Sequence, residues 1–538
     1  MDSKKSLVGR RQFLIRSGVA STVALVSGAA GVAAQTTASC GEKKGEKAIF
    51  KGLVVEKPVH EPAQMPPAGM MGGGAPGGAG GPGGGAPGGA GGPGGMPGSA
   101  ASNEAAGIPE GGQPGAIAKA TPAIYVEDSK YQADKSSPSA ISEGKVTDNY
   151  SEGAKISAKN PEVGGVYVKG MGTEYVLADA TIDLSGDCTF GLGGPNCGAA
   201  AEDHATLIIR NCTITTTSKW RNATSVQNHS ILKVYNSTLR SNGAPFKPDY
   251  AANNQKRQLE IDGNCRTHVT LSNSYSYFYY STIIAEGWAA LSTDGSNGFL
   301  YLEANDCTVK TLTSGYGTYS DGSCHVVLNR CTIDVADMAG IIAGESDITF
   351  TEPKAKCGSY FALIHNVGGA TDVGTLKVHG GEIETKKAAI LIKSANTEIL
   401  VEGAKIKSKI GVLIKSAVSL DPNAAMAANT KGQKVYGIHA TFKDMDVEGD
   451  ILHDDKENRG MTVYLESAAL KGAIKDASIK INRLSKWTAT ADSNVTIIGD
   501  IELSQIDAPA GVTITAVAGE SGTHKLASCG TLILKASS

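Results

Sequence analysis

Aromatic side chains are scarce in this chain of 538 residues: Phe, Tyr and Trp together make up 5% of it. Cores built around rings are excluded, and the 41% hydrophobic content falls largely to Ala, Val, Ile and Leu. Charge of one sign is missing as well. Against 50 Lys and Arg stand 53 Asp and Glu, so the formal net charge is −3 and no global basic bias points to nucleic acid. The ten His are scattered without metal-ligand spacing, and the cysteines form no close Cys-x-x-Cys pairs, which argues against a zinc site. With Cys40 set aside nine cysteines remain, an odd number that argues against a fully paired disulfide framework. Cys188 and Cys197 are spaced to close a small loop outside the cell, but a buried free thiol is the commoner state for such residues. Also missing are a Gly-x-Ser-x-Gly elbow, a His-Glu-x-x-His helix, a phosphate loop and a dinucleotide fingerprint. No cofactor site is expected.

What is present divides the chain into three parts: 1–40, 41–157 and 158–538. In the first, Gly9-Arg10-Arg11-Gln12-Phe13-Leu14 precedes a weakly apolar run to Ala34. This stretch resembles a twin-arginine export signal, which implies a protein at the cell surface or outside the cell. Thr37-Ala38-Ser39-Cys40 resembles a lipobox with Thr where a Leu-like residue belongs, and Val32-Ala33-Ala34 suits an ordinary signal peptidase equally well. Lipid anchoring and free secretion both stay open. The second part includes a Gly, Pro, Ala and Met run from Met65 to Pro97, a composition that cannot offset its own ordering entropy. Residues 41–157 are therefore expected to be a disordered tether to the cell envelope.

From about Val163 the texture changes to short runs of alternating apolar residues bounded by Gly, Asn, Asp and Ser, the pattern of half-buried strands. These runs repeat. Ile208-Ile209-Arg210-Asn211-Cys212-Thr213-Ile214 returns as Lys233-Val234-Tyr235-Asn236-Ser237-Thr238-Leu239, and Asp306-Cys307-Thr308-Val309 returns as Arg330-Cys331-Thr332-Ile333. Ile390-Leu391-Ile392-Lys393 is echoed by Val412-Leu413-Ile414-Lys415, which would place the two lysines one rung apart. A period in the twenties is the signature of a solenoid whose coils stack. The pattern resembles the right-handed parallel β-helix of the pectin-lyase-like superfamily. That resemblance implies an all-β fold, a single-stranded solenoid with Cys212, Ser237, Cys307 and Cys331 in one column of small side chains. The last segment, with Ser485-Lys486-Trp487, resembles the closing coils of adhesin-like β-helix proteins.

Between Glu286 and Ser346 an acidic residue follows a short apolar or aromatic run three times, at Asp294, Asp321 and Glu345. Stacked coils would bring such residues to about 4.8 Å per rung. Paired carboxylates at that range become an acid and a base from identical groups, and either glycosidase geometry is accessible to them. An oxygen-rich column also suits Ca²⁺. The competing account is plain turn chemistry, since Asp294-Gly295 and Asp321-Gly322 are turn dipeptides. The aromatics Tyr275, Tyr277, Phe278, Tyr279, Tyr280, Trp288, Tyr316 and Tyr319 accompany the acids. The expected site is thus Asp294, Asp321 and Glu345 as catalytic groups, with Trp288, Tyr316, Tyr319, Tyr279 and Lys393 binding substrate. Three functions remain in play: an extracellular carbohydrate-active hydrolase or lyase, a surface adhesin or non-catalytic rod, and an enzyme on an aromatic small molecule. The expected partner is a polysaccharide or another extracellular ligand.

Overall fold

The computed structural model describes residues 49–60, 120–188, 192–243, 259–261, 265–294, 298–366, 369–420 and 425–537. The stretch expected to be an export signal, Cys40 and the Met65–Pro97 run lie outside them. Almost every strand pairs in parallel with the strand one coil before it and the strand one coil after, which makes the fold a parallel β-helix. Three strands per coil build three faces. One face runs through Cys265–Thr270, Trp288–Thr293, Tyr316–Asp321, Met338–Ala343, Ala362–His365 and Ile390–Lys393. A second runs through Thr206–Arg210, Ile231–Tyr235, Tyr275–Tyr279, Leu300–Asn305 and Cys324–Asn329. The third runs through Thr213–Thr217, Thr238–Asn242, Thr282–Ala285, Thr308–Thr311 and Thr332–Val335.

Period-two alternation fixes which residues line the interior. On the second face the register stacks Leu177, Ile209, Val234, Phe278, Ala304, Leu328, Phe350, Val378 and Val401, all buried. Phe278 lies against Ala304, a large ring beside a small side chain, so the column keeps a nearly constant volume from rung to rung. Each such side chain contributes about 1.5–3 kcal/mol by leaving water.

The corner between the second and third faces explains the small-residue column. Asp179, Asn211, Asn236, Tyr280, Asp306 and Arg330 all take the left-handed conformation there, with φ of 47° to 55°. Turning the backbone so sharply leaves the next N–H without a strand partner. The next coil supplies one from a side chain: Ala180 N donates to Cys212 Sγ at 3.4 Å, Cys212 N to Ser237 Oγ at 2.9 Å, Ser237 N to Ser281 Oγ at 3.1 Å and Ser281 N to Cys307 Sγ at 3.5 Å. Cys331 occupies the same place one coil on, beside Cys307. Only a short side chain with a lone pair serves there.

Two expectations change. Strands Thr121–Glu127, Ile141–Val146 and Tyr150–Ala158 belong to the first coils, so the linker expected over 41–157 ends before residue 120. Their polar surface residues had hidden a short alternation. Residues 49–60 are also ordered: Ile49 and Phe50 pair with Glu502 and Ile501, Leu53 bridges Ile498, Lys57 reaches Glu398 at 2.5 Å, and His60 meets Glu345 at 3.0 Å. This strap runs back across several coils. Of the two states open to Cys188 and Cys197, both take the free buried thiol: Cys188 faces Pro161 and Arg221, Cys197 faces Ser225, and neither faces the other. Five more buried cysteines are free and Cys529 is disulfide-bonded.

The carboxyl end is closed by Trp487, fully buried, whose Nε1 donates to Gly472 O at 2.9 Å. An antiparallel strand, Gly522–Lys525, then covers the edge of Thr531–Ala536. Both devices deal with the open sheet edge and core that a last coil would otherwise expose.

Candidate functional site

The outer surface of the first face carries a row of ionisable groups. Its register pairs Ser292 with Tyr319, Asp321 with Ala343, Ala343 with His365 and His365 with Lys393. Asp294 follows Thr293 at the strand end and so lies one rung from Asp321. Asp294, Asp321, Ala343, His365 and Lys393 therefore form one row along the solenoid.

Two of the three predicted acids come together in that row. Asp294 accepts from Arg266 Nη2 at 2.8 Å, an ion pair with both side chains largely buried. Asp321 has no such partner in contact. Burial, and then the charge of Asp294, push its carboxyl up to about 8, with Arg266 opposing. The neighbouring phenols respond to the same environment: burial, followed by the charges of Asp321 and Asp294, raises Tyr319 well above the usual range, and burial raises Tyr316. At neutral pH the row thus offers one carboxylate in an ion pair and one carboxylic acid.

Glu345 stands apart. Position 343, an alanine, occupies the row, and Glu345 lies two residues on, past Gly344 in the left-handed conformation. Its carboxylate accepts from Val373 N at 2.8 Å and pairs with His60. The hollow it shares with His60, His325 and Asp347 has a volume of about 10 Å³, room for one water at most.

The aromatics divide between faces. Trp288 and Tyr316 are 6% and 1% exposed and pack with Leu259, Met338 and Ile341, so they wall the site from within and do not form an open groove. Their rings meet edge to face at 5.9 Å, and Tyr316 lies 5.6 Å from Tyr319. Tyr319 alone of the three keeps partial exposure. Tyr279 is on the second face, stacked on Tyr235 at 5.1 Å and 9°, with the Arg210 guanidinium 5.9 Å from the Tyr235 ring. These faces are spent on inter-coil stacking.

Lys393 is in the row but three rungs from Asp321, and its ammonium pairs with Glu260 at 2.9 Å. The echo that placed Lys415 beside it slips by two residues: Leu391 pairs with Lys415, and Lys393 with Ala417. Gly411, in the left-handed conformation at the turn, absorbs the difference.

Sequence reasoning missed Arg266 and Glu260. Arg266 and Glu260 belong to or border an insertion that breaks the repeat, so no period pointed to them. His365 was legible in principle, because it lies 22 residues after Ala343 as Ala343 does after Asp321. Among the described residues no three His, Cys, Asp or Glu side chains converge as a metal ion would require, so the calcium expectation rests on Asp294 and Asp321 alone. No family model matches this sequence, and no curated protein matches it.

Proposed function

We propose that the protein is an exported carbohydrate-active enzyme that hydrolyses glycosidic bonds with Asp321 as general acid and Asp294 as nucleophile. The observation that carries this reading is the pairing of two carboxyl groups on adjacent rungs in unequal surroundings. Asp294 is ion-paired with Arg266, and Asp321 is held in its acid form. One strand spacing, about 4.8 Å between backbones, suits the roughly 5–5.5 Å separation of retaining enzymes better than the wider inverting one. In the first step Asp294 attacks the anomeric carbon while the Asp321 proton passes to the departing oxygen. In the second, water attacks the glycosyl ester and returns its proton to Asp321. Tyr319, the one aromatic of this face with partial exposure, offers a ring edge to the sugar.

A second reading, a non-catalytic surface rod, is favoured by the packing of Trp288 and Tyr316 away from solvent. Asp294→Asn and Asp321→Asn separate the two. Screened on a panel of plant, bacterial and host glycans, each variant is expected to lose on the order of 10²–10⁴ in turnover. Turnover unchanged in both, on a glycan the native chain cleaves, sinks the assignment; a native chain that binds a glycan and cleaves none supports the rod.

A further inference from the structure

Cys529 is disulfide-bonded, and its partner within the chain follows by elimination. Of the ten cysteines, seven are free and buried. Cys40 and Cys265 remain. Cys265 opens the strand Cys265–Thr270, and eleven successive strand pairings separate that strand from Thr531–Ala536, which Cys529 precedes by two residues. At one strand spacing each they amount to about 50 Å. A disulfide needs Cα atoms no more than about 7 Å apart, so Cys265 cannot reach.

The strap brings Cys40 to the right end of the solenoid. Nine residues after Cys40, Ile49 pairs with Glu502, and Phe50 pairs with Ile501. Lys51 is fastened to the closing coils at both its backbone groups: its N–H donates to Glu520 Oε1 at 3.1 Å, and its carbonyl accepts from Gly519 N at 2.7 Å. The buried Phe50 ring lies 4.6 Å from that of His524. His524 belongs to Gly522–Lys525, whose antiparallel partner is Thr531–Ala536, and Cys529 sits in the turn between the two. The five residues from His524 to Cys529 span at most about 18 Å, whereas the ten from Phe50 back to Cys40 span up to about 35 Å. Cys40 is therefore within reach of Cys529.

We propose that Cys40 and Cys529 are joined, fixing the start of the strap covalently to the closing turn. Forming the bond takes two protons and two electrons from the two thiols; a protein disulfide of an oxidising compartment outside the cytoplasm accepts them and leaves as a dithiol. The bond thus shares with the proposed function the premise of export, and does not depend on the chemistry at Asp294 and Asp321. It also decides between the two fates left open for the amino terminus. A lipid anchor would be attached to Cys40 through a thioether at the same sulfur. A sulfur engaged with Cys529 cannot carry one, so the leader is cut upstream, where Val32-Ala33-Ala34 suits an ordinary signal peptidase, and Cys40 stays in the mature chain as a structural residue.

The full chain, exported by a bacterial host and alkylated before lysis to trap free thiols, is digested with trypsin in the absence of reductant. Mass spectrometry is expected to find peptide 526–535 joined to the peptide that ends at Lys43, and to find the two separate after reduction. Peptide 526–535 joined to peptide 258–266, which carries Cys265, overturns the assignment, and so does peptide 526–535 recovered alkylated. A diacylglyceryl thioether on Cys40 overturns it as well. Cys40→Ser gives a second reading. Unfolded in guanidinium, this variant is expected to take up a maleimide at Cys529, which the native chain does not; a Cys529 that stays unlabelled in the variant refutes the bond. Each readout is independent of whether the protein cleaves a glycan, so a failure here is distinct from a failure of the hydrolase reading.

Discussion

Replacing Asp321 by asparagine should stabilise the protein above neutral pH, and the size of the effect follows from its surroundings. Burial and the charge of Asp294 lift its carboxyl from 3.8 to about 8. Between those two values the folded chain holds a proton that the unfolded chain has released. Stability therefore falls as pH rises from about 4 to 8 and levels off above 8. A shift of about 4 units at 1.36 kcal/mol each sets a ceiling of about 5 kcal/mol, which partial solvent access reduces to about 2–4 kcal/mol. Asparagine keeps the shape and cannot ionise, so it removes the slope. Urea unfolding followed by circular dichroism at pH 5 through 9 should give native and Asp321→Asn midpoints that lie closest at pH 5, diverge up to about pH 8 and run parallel beyond it, the variant being the more stable there. Subtracting the two curves cancels every other titrating group. Because burial outranks the Asp294 charge among the causes, Asp294→Asn should lessen the slope only in part. Parallel curves for the native protein and Asp321→Asn across the whole range would refute the raised carboxyl and, with it, the acid role assigned to this residue.

Two further outcomes test how the fold supports the site. Gly315 has φ of 112°, and a Cβ there would come 2.2 Å from the Trp288 carbonyl oxygen. Gly315→Ala should therefore cost about 3 kcal/mol or more in chemical denaturation and quench the Trp288–Tyr316 contact seen in near-ultraviolet dichroism. Trp487→Ala should cost about 3–5 kcal/mol, yet the loss should fall on the last coils. Hydrogen exchange is expected to speed up from about residue 460 onward while the strands around Asp294 stay protected.

The elements legible in the sequence were those set by contacts within a coil or between like positions of successive coils. Period-two alternation marked the strands because one side of each faces a dry interior, as with Ile209, Val234 and Phe278. The Cys and Ser column was visible because a sharp corner demands the same short acceptor at each turn, and Cys212 and Ser237 meet that demand with the same backbone donor geometry. Coil length, by contrast, is set by turns at the other corners, where insertions cost little because they extend into solvent. Along the functional row the steps are 27 residues from Asp294 to Asp321, 22 to Ala343, 22 to His365 and 28 to Lys393. Following the recurrence of an acidic residue keeps Asp321 but leads to Glu345, 24 residues on, where the register puts Ala343. The echoed Leu-Ile-Lys likewise aligns Lys415 with Lys393 where the register puts Ala417. The same variation hides Arg266 and Glu260, which border the longest insertion.

The consequence concerns how chemistry is placed on a solenoid. Interior positions are constrained at every rung, so a change there propagates through the stack, whereas an outward row can change residue type from one rung to the next. Asp294 and Asp321, then alanine, then His365 and Lys393 use that freedom to put an acid pair and a cationic corner on one line without disturbing the Ile342–Ile364–Ile392 column behind them. Buried charge is tolerated in that row because each group is answered locally: Arg266 answers Asp294, Glu260 answers Lys393, and Asp321, lacking such an answer, keeps its proton. Supplying Asp321 with a cation, by Ala343→Lys on the adjoining rung, would oppose the burial that raises its carboxyl and should lessen the fall of stability between about pH 4 and 8, weakening the property on which its proposed acid role depends.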